Sequence, residues 1–471
     1  MPPKPARPET LPGRWQQRAP ERQLLFWSLV AIALGFLMLL GAGPKDGYAV
    51  RSIDLLPLLT LAASFGATHL VFTVLGFRGD QLILALTALL CGVGLLAQYR
   101  MGVFIGDDVG PVTYLTLPGG VALMTAAVVI AMDGRYRVLA PALWFWALLS
   151  LGLVGLLLAT GQRFRGGVYA AGFITPTEPL KLTVVLFAAA FIDRHVRALS
   201  KWPGAIPYPP LRTLWPLLVF VGLLLGLLLW QRDLGMIAIL SLALLALLLA
   251  GTRQPGYLIY SALISGIGGY LLLAFFSHGQ RRIDAWADPF QDPTGGGWQI
   301  LQGLSGMYAG GLWGEGFGQA RPRYTPIAES DFIYAVIAEE LGFAGSVLLL
   351  GFFLLLLARL FRIAARARSP FGMLVGTGIA TVFATQTFLN IGGVTKFIPL
   401  TGITLPFISH GGSSLLTAFL SLGLALAISD GEPKPARKKA AAAKSTSKPA
   451  RKPVKKRTSR RATAAAASGR S

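Results

Sequence analysis

Residues 281–342 read RRIDAWADPFQDPTGGGWQILQGLSGMYAGGLWGEGFGQARPRYTPIAESDFIYAVIAEELG. They form the longest part of the chain before its C-terminal tail that lacks a continuous apolar run, and they lie between two long apolar segments. A loop of this length without a strong element pattern is uncommon unless it is functional or disordered. Disorder fits poorly, because Trp286, Phe290, Trp298, Met307, Tyr308, Leu312, Trp313 and Phe317 supply much apolar and aromatic surface. The stretch reads as a folded cap over a membrane domain, carrying much of an active site.

The rest of the chain supplies that membrane domain. Of 471 residues 54% are hydrophobic and 14% charged, against about 25% charged in soluble domains. Apolar runs long enough to cross a bilayer recur at 23–43, 54–76, 81–99, 112–132, 138–160, 178–193, 213–231, 234–251, 257–277, 332–358, 372–393 and 408–429, twelve in all. The fold class expected is an all-α polytopic membrane protein of about 12 transmembrane helices. Residues 1–22, with Lys4, Arg7, Arg14, Arg18 and Arg22, read as a cytoplasmic arm, and 23–137 as N-terminal spans. Residues 138–429 read as the core, with a large extracytoplasmic loop at 278–331. Residues 430–471 read as a disordered basic tail: fourteen Lys or Arg and no acid lie between Lys434 and Arg470, and without them the net charge falls from +22 to +8. Such a tail suits a topology anchor on anionic inner-leaflet lipid. No aromatic interleaving points it to nucleic acid. Cys91 is the single cysteine, which excludes an intrachain disulfide and a thiolate cluster. None of the four histidines has a partner at zinc-ligand spacing. No cleavable signal stands out.

Loop charges orient the spans. With the N-terminus inside, the inner loops hold Arg78, Arg135, Arg137, Arg194, Arg197, Lys201, Arg212, Arg253, Arg359, Arg362, Arg366 and Arg368. Most acids then fall outside, together with cations such as Arg282, Arg321, Arg323 and Lys396 that the bias ordinarily excludes. An anionic ligand on the outer face, or pairing with the neighbouring acids, accounts for them.

Four outer patches can carry chemistry. Gln231-Arg232-Asp233-Leu234-Gly235 places a carboxylate between apolar runs, a costly position without a partner or a wet cavity. Burial there would raise its pKa and suit it to accept a proton. In Thr175–Lys181, capping explains Thr177 and Glu178, whereas Lys181 at i+3 calls for an ion pair with Glu178 inside the membrane. The glycines of 295–297 and 310–318 permit close backbone approach, and the helix that follows carries Glu339 and Glu340 in an apolar run. Finally, 397–414 (FIPLTGITLPFISHGGSS) interrupts a span with prolines, glycines and hydroxyls, which survives at membrane depth only when buried in protein or lining a cavity.

Together with GGLWGEGFG (310–318), ESDFIYAVIAEELGF (329–343) and QRDLG (231–235), this last patch resembles the FtsW/RodA family over residues 140–429. The resemblance implies a ten-helix core, here with two extra N-terminal spans, and polymerisation of lipid II into glycan strands at the outer face of the cytoplasmic membrane. The family's proposed base, the aspartate of Gln-Pro-Asp-Leu-Gly, matches Asp233, with Arg232 in place of the proline. Its Glu and Lys motif is met by Glu178 and Lys181. The usual Arg-Arg-Trp is degraded to Gln162-Arg163-Phe164, and a common tyrosine is His410. Arg282, Arg321, Arg323 and Lys396 are candidates to meet a diphosphate leaving group, and Gln299, Glu339, Ser409 and Ser413 join them as substrate-binding candidates. A divalent cation (Mg or Mn) is expected with the diphosphate. The partner expected is a single-span class B penicillin-binding transpeptidase. A lipid II flippase is the alternative, and it needs the cavity but not the base.

Overall fold

The computed structural model describes residues 10–41, 51–104, 110–164, 167–169, 175–202, 208–275 and 277–430. The described residues lie within one compact unit, Met1–Glu432. The tail assigned from sequence to 430–471 lies outside them, apart from Asp430.

Each of the twelve apolar runs contains a helix. Two N-terminal helices, α1 (Leu11–Gln17) and α2 (Ala19–Gly41), are followed by α3 (Leu56–Val74), α4 (Leu82–Arg100) and α5 (Pro111–Ala131). Then come α6 (Leu143–Thr160), a short antiparallel hairpin of β1 (Gln162–Phe164) and β2 (Gly167–Tyr169), α7 (Thr177–Leu199), α8 (Leu211–Gln231), α9 (Leu234–Thr252) and α10 (Gly256–Phe275). The cap contributes α11 (Ser277–Ala287) and α12 (Trp298–Gly310), and the chain closes with α13 (Ile333–Arg366), α14 (Pro370–Val394) and α15 (Gly412–Asp430). Among the described residues nine helices are both long and apolar enough to cross a membrane. The molecule is a multi-pass membrane protein.

Burial sorts the helices. Windows of α4 and α14 are 78% and 72% buried, whereas those of α2, α5 and α8 are 28% buried. Helix α14 packs between α9, α13 and α7, and α4 between α2 and α13. The run with the most polar start, 178–193, is longer than its apolar part, because Arg194, His195 and Arg197 continue α7 past it. The N-terminal arm is folded from Leu11 onward rather than loose. Arg18 pairs with Glu21, His69 Nδ1 stands 2.6 Å from Glu21 Oε1, and all three are buried beside Phe72 and Phe77. A buried charge needs such partners.

Several loops that the charge pattern assigns to one side meet one another. At one end the Arg78 amide donates to Asp430 (2.7 Å), Arg359 pairs with Asp80 (2.6 Å), and Tyr136 bonds Ser369 (2.9 Å). At the other end the cap meets 396–410, Gly235 at the start of α9 packs on Thr401 and Ile403, and the Thr175 amide ahead of α7 donates to Ser413.

Candidate active site

The cap is seated by main-chain bonds. Helix α13 is broken at Gly342 (φ 68°, ψ −169°), which orphans the backbone groups on both sides of the break. The loop 311–316 fills it. The amides of Glu315 and Gly316 donate to the carbonyls of Glu339 (3.0 Å) and Glu340 (3.1 Å), while those of Phe343 and Ala344 donate to Gly311 (2.9 Å) and Leu312 (3.0 Å). A Cβ at Gly314 would lie 2.1 Å from the Glu340 carbonyl oxygen, so the approach requires glycine. Below the break, Glu339 Oε1 accepts the Arg321 amide (2.8 Å), and Arg100 faces Glu340 at 3.5 Å while donating to the Ala320 carbonyl (2.9 Å).

The irregular segment 396–411 is the site's floor. On α11, Arg282 and Trp286 share a face at i, i+4. Arg282 donates to the carbonyls of Leu400 (3.0 Å) and Thr401 (2.9 Å), and Trp286 to that of Lys396 (3.0 Å). On α14, Gln386 and Asn390 repeat the device. Gln386 donates to the Thr404 carbonyl (3.1 Å), and Asn390 to the carbonyls of Ile403 (2.6 Å) and Asp331 (2.9 Å). The carbonyls of Ser330 and Glu329 are taken by the Ser409 hydroxyl (2.6 Å) and the His410 amide (2.7 Å). Three successive carbonyls ahead of α13 are thereby fixed, and Asp331 with them. Under this floor Lys181 Nζ stands 2.7 Å from Glu178 and donates to Gln386 (3.3 Å). A cavity of about 20 Å³ beside them has room for a water.

Two half-buried acids, Asp233 and Asp331, have Arg282 as a common electrostatic neighbour. Asp233 caps α9, its Oδ1 accepting the Met236 amide at 2.9 Å. Burial pushes its carboxyl above the usual range and Glu178 adds to this; the Met236 amide, Lys181 and Arg282 oppose it. Burial raises the Asp331 carboxyl too, with Glu329 adding, against the Ser330 hydroxyl (3.1 Å) and Arg282. Burial lowers His410, opposed by Glu329. An arginine against two carboxylates that favour protonation can stabilise a diphosphate while one acid receives a proton.

Of the residues singled out from sequence, Asp233, Glu178, Lys181, Arg282 and Lys396 join this cluster directly or through one contact. Glu339 and the Arg321 backbone build the roof. The hydroxyls of Ser409 and Ser413 hold backbone: the Leu405 amide donates to Ser409 (2.8 Å) and the Thr175 amide to Ser413 (2.6 Å). Gln299 is half-buried on α12 and makes no hydrogen bond to the cluster among the described residues. The side chains of Arg323 and Arg163 lie outside the described residues. Gln386 carried a readable signal, an amide within an apolar span. Among the described residues no group of three or more His, Cys, Asp or Glu could hold a metal ion, and Lys181 already pairs with Glu178. This donor set does not fit a cation resident in the protein.

A family profile for cell cycle proteins of the FtsW/RodA/SpoVE type matches residues 80–433, about three quarters of the chain. The chain belongs to the FtsW/RodA/SpoVE family. Among curated FtsW and RodA proteins it is similar to the peptidoglycan glycosyltransferase RodA of Mycobacterium tuberculosis, 32% identical over 397 residues that cover 81% of this chain and 84% of the relative. It is also similar to a probable peptidoglycan glycosyltransferase FtsW of Trichlorobacter lovleyi, 36% identical over 322 residues covering 66% and 81%. Among solved structures, one described as coordinating polymerization and crosslinking in a peptidoglycan synthase complex superposes with a TM-score of 0.58 at 27% identity, over 74% of this chain and 97% of that one. The Thermus thermophilus rod shape determining protein RodA superposes with a TM-score of 0.51 at 26% identity, over 74% and 96%. The profile begins at residue 80, so α1, α2 and α3 precede the family core.

Proposed function

We propose that this chain polymerises lipid II into glycan strands on the outer face of the cytoplasmic membrane, in wall synthesis for elongation or division. Its relatives and its own site chemistry make it a peptidoglycan glycosyltransferase. Both termini face the cytoplasm, as the loop cations favour, which puts the cap, Arg282, Asp233 and Asp331 outside. The observation that carries the reading is the fixing of the 396–410 segment and of the chain ahead of Asp331 by Arg282, Asn390, Ser409 and His410, beside a cap held by the family's own motif.

The acceptor's 4-hydroxyl attacks the donor's anomeric carbon, the bond to the lipid diphosphate breaks, and one direct displacement turns an α-linked donor into a β-linked product. The acceptor's proton goes to a carboxylate. Sequence pointed to Asp233, but its Oδ1 is engaged in capping α9. Asp331, held through the backbone and bonded at its side chain by the neutral Ser330 hydroxyl, fits the role better. Arg282, with Arg321 and Lys396 on the same face, meets the leaving diphosphate. A Mg or Mn ion would enter with that diphosphate, since Mg is commonly held by one or two carboxylates plus substrate phosphates. A class B penicillin-binding transpeptidase is the partner proposed, supported by the synthase complex that the fold matches.

The test is glycan formation from purified lipid II in detergent. Asp331→Asn should lower the rate by about 10²–10⁴, as loss of a general base does, and Asp233→Asn by less. A folded Asp331→Asn protein that polymerises at the wild-type rate would refute the assignment. Lipid II translocation in liposomes, retained when polymerisation is lost, would favour a flippase instead.

A further inference from the structure

At the end of the bundle opposite the cap, α6, α7 and α8 border an open cleft of about 420 Å³, at which Arg194 and Arg212 are exposed. Its walls include Leu143, Trp144, Arg194, His195, Arg212 and Thr213. The size lies within the usual range for ligand pockets. Neither Arg194 nor Arg212 has a hydrogen-bond or ion-pair partner among the described residues. The described neighbour Asp193 makes an ion pair with neither. Leu143 and Trp144 open α6, and Arg212 and Thr213 lie in the first turn of α8. Two helix starts, each with unsatisfied amides and a partial positive charge, therefore face the same space as two arginines. His195 adds to them. It lines the same wall, its Nδ1 donating to the Phe191 carbonyl (2.9 Å).

We infer that this cleft binds the phosphate headgroup of an anionic membrane phospholipid. The charge calls for an anion, and the flank calls for one with acyl chains. Trp144, Leu211 and Trp215 are 66%, 55% and 59% exposed around the cleft, which matches the aromatic belt found where spans meet the headgroup region. A headgroup among the arginines leaves its chains along the apolar faces of α6 and α8. Basic pockets between spans bind phospholipid heads in this way. The cleft lies at the opposite end from the lipid-linked sugar chemistry, so it is a separate site.

Native mass spectrometry of the full chain tests this, with phosphatidylglycerol and phosphatidylcholine of identical chains offered in equal amounts. The wild type should retain phosphatidylglycerol preferentially. Each arginine near a membrane surface contributes about fivefold, so the R194A/R212A protein should lose about 25-fold of that preference. The R194K/R212K protein should keep most of it. The basic tail is present in every variant and cancels in the comparison. Equal retention of the two lipids by the wild type, or an unchanged preference in R194A/R212A, would overturn the site. Displacement of the lipid by millimolar inorganic phosphate would overturn its assignment to a phospholipid.

Discussion

Replacing Gly314 by alanine tests whether the cap is held by backbone contact. The position has φ +86°, where an L side chain costs about 1–2 kcal/mol. That is the smaller cost. The new Cβ would lie 2.1 Å from the Glu340 carbonyl oxygen and 2.5 Å from its carbon, and neither atom can rotate away. The loop must lift, opening the four bonds from Glu315, Gly316, Phe343 and Ala344. At about 1 kcal/mol net for each bond, the total reaches about 5–6 kcal/mol. Gly102 is the control. It has the same φ of +86°, but no atom lies within 4 Å of its Cβ, so alanine there carries only the conformational cost. Denaturant unfolding in detergent, followed by tryptophan fluorescence, reads both variants, and the lipid II assay reads the site. Gly314→Ala should be destabilised about three times as much as Gly102→Ala and lose polymerisation. Equal destabilisation of the two would show that the loop does not fill the broken helix, and the account of the cap would fall.

Three more outcomes follow from the site. Glu178→Gln should cost about 3–5 kcal/mol by leaving Lys181 buried without its counter-charge, and adding Lys181→Met should recover much of this; a double variant no more stable than the single one argues against the pair. Burial raises the Asp331 carboxyl, so the fold binds its proton more tightly than the unfolded chain does. That contribution to stability is fully present below the ordinary carboxylate value and is lost as pH rises through the raised one. Asp331→Asn should flatten the dependence in this window, and an unaltered slope in unfolding against pH would count against the burial. EDTA should stop polymerisation and added Mg restore it without changing the melting temperature, because the ion enters with substrate; a large fall in melting temperature would reveal a resident ion.

Hydropathy alone made the helices legible, since each apolar run exceeds what a soluble helix needs, and the glycines of 310–318 announced a close approach. The target of that approach was hidden. Gly342 sits inside one long helical stretch just after Glu339 and Glu340, and only the arriving loop makes a break there tolerable. The choice between acids was hidden for a related reason. Asp233 beside a span start reads equally as a cap and as a base, and the structure shows the cap. Asp331 gains its setting from Asn390, Ser409 and His410, about 60–80 residues away in sequence. The fold of residues 11–22 escaped notice because its charges looked solvated. Arg18 and Glu21 are instead enclosed by α3, with His69.

The order of parts along the chain has a bearing on how the broken helix is made. Residues 311–316 leave the ribosome before Gly342 does, so the plug is made before the gap it fills. When α13 arrives, the carbonyls of Glu339 and Glu340 find donors waiting. A chain with these segments in the reverse order would have to insert a helix with a bare seam and hold it open until its cover was synthesised.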